Sequence, residues 1–357
     1  MIHSSGVEMR GSFAPGRLEN MTVPMSSVRS IGMLNEYKGR QQLHERQSPQ
    51  VLSALREMAR VQSIESSNRI EGVTAPEGRV AELAAARTEP RDRSEQEIAG
   101  YRDVLATVHV GARDMQVSSG LILQLHRDLY QFTPTPGGAW KSSPNDIVDV
   151  LPDGSHRLRF SPVEPHLVDG AIRDLVEGYR RVAAEGQVDP LITIPGFVLD
   201  FLCIHPFTDG NGRLSRILDL LLLHQTGYEV GRYVSLERII EDSKETYYES
   251  LEASSAGWHE GEHDLVPWLE YSNGVLIAAY LEFEQRVGQM GQARGAKGEM
   301  VVDCVRRLPS TFRYADVERA CPGVSRPTIV RALGKLRDAG EIRCVKGGRD
   351  AMWERLT

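Results

Sequence analysis

Twelve consecutive residues bring an imidazole, a carboxylate, a two-glycine loop and two arginines together: His205-Pro206-Phe207-Thr208-Asp209-Gly210-Asn211-Gly212-Arg213-Leu214-Ser215-Arg216. Handling a nucleoside triphosphate requires this set of groups. An imidazole titrates near neutrality, so His205 can take a proton from a hydroxyl. Asp209 offers a hard oxygen ligand of the kind magnesium takes when held between protein and phosphates. Gly210 and Gly212 can adopt positive φ on either side of Asn211, letting several backbone amides converge on one anion. Arg213 and Arg216 are three apart, hence neighbours on one helix face within reach of a polyphosphate.

These groups need a helix before them and another after. The apolar run from Phe197 to Ile204 leads into His205, and Pro206 ends that helix. The next helix starts near Gly212 and carries Leu214, Ile217, Leu218, Leu221 and Leu222 at helical spacing. Its open N–H groups and dipole favour phosphate. Alone, Asp-Gly-Asn-Gly is a turn and a histidine at a helix end is structural; the specificity lies in the whole run.

His205 to Arg216 resembles, at every defined position, the signature HPFx(D/E)GNGRxxR of Fic-domain proteins. Such enzymes transfer AMP from ATP to a hydroxyl side chain of a target protein. The resemblance implies that His205 is the general base and that Asp209 holds Mg2+. It assigns Asn211, with the amides around Gly210 and Gly212, to the α-phosphate, and Arg213 and Arg216 to the outer phosphates. The related Doc branch, a kinase-like variant, has lysine in place of the second glycine. Gly212 is intact, which favours nucleotidyl over phosphoryl transfer.

Ser67-Asn68-Arg69-Ile70-Glu71-Gly72 resembles the Fic inhibitory motif (S/T)xxxE(G/N). It ends a long helical pattern, about Gln50 to Ile70, in which Val51, Leu55, Met58, Val61 and Ile64 recur at helical spacing. The resemblance implies an intramolecular Glu71–Arg216 pair that blocks seating of the ATP γ-phosphate, with Ser67 and Gly72 completing the motif. A carboxylate can occupy an arginine fork that otherwise grips phosphate.

The chain has 357 residues, enough for two or three domains, with 41% hydrophobic and 25% charged residues. The expected fold is mainly α. A loose arm covers residues 1–30, and a helical region with the inhibitory helix covers 31–110. A Fic catalytic core covers 111–290, and a winged helix-turn-helix covers 297–357. Helices are predicted over Asn35–Gln47, Ser94–Val108, Ser119–Tyr130, Pro165–Ala184 and Asp189–Ile204. Between them, Ile147–Val150 and Arg157–Phe160 predict two strands joined by the turn Pro152-Asp153-Gly154-Ser155. By resemblance this hairpin is the Fic flap, whose edge can dock a target segment by strand pairing. Lys141 stands where the family often has arginine.

Gly291 to Gly298 reads as a linker. Beyond it Met300–Leu308, Tyr314–Ala320 and Ser325–Ala339 predict helices, with a tight turn at Cys321-Pro322-Gly323-Val324. Glu341–Val345 and Ala351–Arg355 predict strands. Ile329, Leu333 and Leu336 face a core. That leaves Arg326, Thr328, Arg331 and Lys335 for a DNA groove, and Lys346 and Arg349 for phosphates. From Arg294 onward there are 14 Lys and Arg against 8 Asp and Glu, a net +6, so the rest of the chain carries −13 of the total −7. The module is basic and the body acidic.

His259-Glu260-Gly261-Glu262-His263 fits the HExxH zinc-protease pattern. Gly257 and Gly261 weaken the helix that chemistry needs, so a polar loop is expected instead. The four cysteines show no CxxC pairing, and no apolar run reaches the length of a membrane span. A reduced, cytoplasmic protein without a membrane partner is the expectation. The expected function is an autoinhibited protein adenylyltransferase using ATP and Mg2+ on a Ser, Thr or Tyr hydroxyl of a target protein. The alternatives are a DNA-binding regulator with a Fic sensor body, or a Fic enzyme that removes AMP or uses another nucleotide. Fic relatives often dimerise, so a homodimer is a further implied partner state.

Overall fold

The computed structural model describes residues 11–47, 49–76, 78–150, 154–292, 296–321, 324–346, 348 and 351–356. The fold is mainly helical, with a small β-hairpin and a small three-stranded sheet. The described residues fall into two compact units, one within 11–38 and 57–280 and the other within 39–56 and 281–356.

The first unit is built around α7 (Pro190–Ile204) and α8 (Asn211–Gln225), with α6 (Val168–Glu185) against α7 and α4 (Arg93–Gly111) against α8. α7 is apolar on nearly every face, and Phe197, Leu199 and Phe201 are fully buried, as an internal helix demands. Its start is set by Asp189, whose side chain accepts from the Leu191 N–H at 2.8 Å, with Pro190 in the first turn. α5 (Ser119–Leu129) packs against α4 and α6, and α10 (Lys244–Ser255) against α7.

The hairpin forms where expected. β1 (Ile147–Val150) pairs antiparallel with β2 (His156–Phe160), with a register shift after Ile147. Of its expected turn, Pro152 and Asp153 lie outside the described residues.

The expectation of a loose arm is corrected for residues 11–30. Phe13 and Leu18 are buried, and Ser12 donates from both its N–H (2.7 Å) and its hydroxyl (2.8 Å) to Asp200. Burial pushes the Asp200 carboxyl up to about 6, and donors from Ser12 and the Trp258 indole counter that shift. A buried acid on α7 therefore recruits this segment. α1 (Met25–Gln47) accordingly begins well before Asn35.

The HExxH segment folds as turns, with Gly257 and Gly261 at positive φ. His263 contacts the Ser12 hydroxyl at 3.0 Å and His259 the Ser161 carbonyl at 2.7 Å, so the two rings are engaged with different partners.

In the second unit α12 (Ala296–Arg307), α13 (Tyr314–Ala320) and α14 (Arg326–Asp338) enclose a core with Phe312 and Ile342. Ile329, Leu333 and Leu336 face this core, as their spacing requires. The strands β3 (Thr311–Arg313), β4 (Ile342–Lys346) and β5 (Met352–Arg355) form an antiparallel sheet in the order β3-β5-β4. β3 was not expected, because three residues are too few for an alternation to register. Arg326, Arg331, Lys335 and Lys346 are exposed and Thr328 is half-buried. Arg349, part of the linker (293–295) and Pro322-Gly323 of the turn lie outside the described residues.

Candidate active site

α7 stops at His205, which takes a left-handed conformation, φ 48° and ψ 61°. For a residue with a side chain this costs about 1–2 kcal/mol, and Pro206 prevents the helix from continuing. His205 Nδ1 lies 3.2 Å from the Leu202 carbonyl. A carbonyl only accepts, so Nδ1 carries the proton and Nε2 keeps its lone pair. Burial pushes this imidazole from 6.5 down to about 4, with Lys141 and Arg159 acting in the same direction. The ring is therefore neutral at physiological pH and can accept a proton.

The loop that follows is held rigidly. Asn211 Oδ1 accepts from the Phe207 N–H at 2.9 Å and its Nδ2 donates to the Phe207 carbonyl at 2.7 Å. The Asn211 side chain thereby clamps the loop between α7 and α8. His126 Nδ1 accepts from the Gly138 N–H at 2.8 Å, so its Nε2 donates to the Asp209 carbonyl at 3.0 Å. The His126 ring stacks on Phe207, centroids 3.7 Å apart. Lys141 braces the other side: its N–H donates to the Pro206 carbonyl (2.8 Å) and its ammonium to Asn145 (2.6 Å). Burial lowers the Lys141 ammonium to about 8.

Gly210, φ 84°, then starts α8. Asp209 stands exposed at this helix start, with Arg93 at 3.8 Å and Arg213 at 3.7 Å. Among the described residues no cluster of three or more metal-binding side chains exists. Magnesium that arrives on a nucleotide needs one or two carboxylates and keeps water and phosphate oxygens as its other ligands. An exposed carboxylate beside an anion cradle fits that need.

The two signature arginines differ in their surroundings. Arg213 was expected on the outer phosphates; its guanidinium is 1% exposed and donates to Glu97 Oε2 (2.6 Å) and to the Tyr130 hydroxyl (2.8 Å). It thus joins α4, α5 and α8. Arg216 donates from Nε to the Ser67 hydroxyl (2.9 Å) and from Nη2 to the Ser67 carbonyl (2.8 Å) and Glu71 Oε1 (2.9 Å). Its Nη1 is buried without a hydrogen bond of normal geometry. Glu71 also lies over Gly212: a methyl built on that glycine would fall 2.2 Å from Oε1. The carboxylate therefore occupies the first turn of α8, where an anion would sit.

The helix that leads into Glu71, α2 (Pro49–Ile70), is fastened at its C-terminal end within the first unit. Ser63 donates to Glu237 at 2.7 Å, and the Lys244 ammonium donates to the Ile70 carbonyl at 2.9 Å. Gly72, φ 78°, ends the segment.

A cavity of about 240 Å³ opens between these parts. It is lined by Glu71, His205 and Gly212, by Ile147 and Phe160 of the hairpin, and by Tyr248 and Leu251 of α10. Sequence reasoning missed Glu97, His126, Tyr130 and Asn145. Lys141 had a signal in its place before the hairpin; Glu97 had none.

Comparison with known proteins agrees with this geometry. The Fic/DOC family model matches residues 116–223. A protein named probable protein adenylyltransferase of Aquifex aeolicus is 35% identical over 111 residues, 31% of this chain and 31% of the relative. Protein adenylyltransferase fic-1 of Caenorhabditis elegans is 30% identical over 113 residues, 32% of this chain and 20% of the relative. The matched stretch is thus a third or less of these relatives' lengths. A Fic family protein from Desulfovibrio desulfuricans has a similar fold, with TM-score 0.62, 21% identity and coverage of 94% of this chain and 97% of that one. From the signature loop, the helix pair that frames it and these matches, we conclude that residues 116–223 form a domain of the Fic/DOC family.

Proposed function

We propose that the protein is an autoinhibited protein adenylyltransferase. His205 Nε2 takes the proton of a Ser, Thr or Tyr hydroxyl on a target protein. The oxygen forms a bond to the α-phosphorus of ATP, the bond from that phosphorus to the bridging oxygen breaks, and pyrophosphate leaves with the electron pair. The α8 amides at Gly210 to Gly212 stabilise the charge that builds on the α-phosphate. Arg216 takes the outer phosphates once Glu71 is gone. Asp209 would hold magnesium, which supplies neutralisation of the polyphosphate charge. Tyr248, Leu251, Ile147 and Phe160 offer a nucleobase an apolar slot. The observation that carries this reading is that a neutral His205 with an open Nε2 shares one cavity with the start of α8.

Autoinhibition follows from Glu71 holding Arg216 and covering Gly212 at the same time. Purified Glu71→Gly protein given ATP and magnesium gains AMP on itself or on a target roughly tenfold or more faster than wild type. That factor is the effect of one charge-assisted hydrogen bond. Adding His205→Ala abolishes the gain. Equal labelling with and without His205, read by intact mass, would overturn the assignment.

A second reading concerns residues 296–356. Three helices and the β4-β5 hairpin around a common core, with Arg326, Arg331 and Lys335 exposed on α14, support a winged-helix module that binds DNA. Duplex DNA binding that weakens with salt, and whose salt dependence falls in an Arg331→Ala/Lys335→Ala variant, is the expected result. No shift of duplex DNA at low salt would remove it.

A further inference from the structure

A cavity of about 650 Å³ lies outside the site already described, in the first unit. Its lining includes Ser161 and Pro162, the residues that follow β2, and Ile204, the residue before His205. It runs across the first half of α6. The lining is apolar at Phe13, Val163, Leu167 and Leu175, and Leu167 is 39% exposed, unusual for a leucine beside a cleft.

The charged groups on it are unbalanced. Four carboxylates and one arginine line the groove. Asp200 is committed to Ser12 and Trp258, and Asp169 is paired with Arg173 at 2.9 Å. Glu164 and Asp174 remain without an ion pair among the described residues. Burial, and then Glu177, raise the Asp174 carboxyl above its ordinary value, and Arg173 offsets part of that rise.

We propose that this groove docks a basic segment of the target protein, an apolar side chain flanked by lysine or arginine, with Glu164 and Asp174 taking the cations. Naming the partner as a transfer target rests on the reading above; the groove's preference for a basic chain does not. A segment lying here would continue past the end of β2 and pass beside His205. The hairpin also exposes Val148 and Leu158, a cross-strand pair, on its surface. Apolar contacts with charged neighbours give both adhesion and selectivity.

Fluorescence anisotropy of the full chain, without nucleotide, tests this. The probes are a labelled peptide alternating leucine with lysine and its counterpart with glutamate. Wild type binds the basic peptide, and binding weakens as salt rises. Glu164→Lys/Asp174→Lys lowers affinity roughly tenfold or more, and Glu164→Gln/Asp174→Asn lowers it less in the same direction. A control, Asp114→Lys/Glu185→Lys, changes net charge equally away from the groove and leaves affinity unchanged. Equal loss in groove and control variants, equal binding of the acidic peptide, or no binding of the basic one overturns the inference. AMP transfer by the Glu71→Gly protein to itself is measured alongside, so that failure of the enzymatic reading is seen separately.

Discussion

Glu71 Oε1 lies 2.9 Å from Arg216 Nη2 and stands over the α-carbon of Gly212. One carboxylate thus takes one arm of the Arg216 guanidinium and covers the start of α8. Ser67 holds the same arginine from the other side through its hydroxyl and its carbonyl.

Ser67→Ala removes the hydroxyl partner of Arg216 Nε and leaves Glu71 in place. AMP incorporation should rise about three- to tenfold over wild type, less than in Glu71→Gly. In the Glu71→Gly background the same change should add nothing. An additive rise in the double variant would show that Ser67 acts elsewhere.

Glu97→Ala leaves Arg213 charged, buried and without its 2.6 Å partner. Breaking a buried pair from one side costs about 3–5 kcal/mol. The urea midpoint followed by circular dichroism should fall accordingly. An unchanged midpoint would mean that the pair contributes little to holding α4 on α8.

His205 is pushed down to about 4, from an ordinary 6.5. A group lowered in the folded state stays neutral as pH falls through 6.5, while the unfolded chain takes up a proton there. Its contribution to stability is therefore complete above 6.5 and is lost as pH falls from 6.5 towards 4. His126, also lowered by burial to about 4, adds to that loss. AMP transfer by Glu71→Gly should hold level from about pH 8 to 6 and decline only towards pH 4–5. An acid limb centred at 6.5 in protein still folded by circular dichroism would contradict this.

Asp209 stands exposed, accepts from the Gly210 N–H at 2.6 Å and has its two arginine neighbours at 3.7 and 3.8 Å. Chelation should silence the Glu71→Gly protein, and added magnesium should restore it. Asp209→Ala should raise the magnesium needed for half-maximal rate roughly tenfold. The same magnesium dependence in both proteins would remove Asp209 as the ligand.

The local chemistry was legible in the residues themselves. An apolar run ended by Pro206, two glycines and an apolar stripe set the α7–loop–α8 unit. Alternation between turn formers set the hairpin. The Glu71–Arg216 pair was implied by the resemblance of two segments to motifs of Fic-domain proteins. These features depend on neighbours within a few residues or on motif positions, so a single chain carries them openly.

Only the tertiary structure decided what the remaining side chains do. Arg213 and Arg216 look alike in sequence, yet Glu97, 116 positions before Arg213, takes one, and Ser67 and Glu71 take the other. Asn211 turned inward because the Phe207 backbone offered both a donor and an acceptor within reach. Residues 11–22 packed because Asp200 needed donors. Buried polar groups must find partners wherever the fold brings them, and such distant pairings leave no local pattern to read.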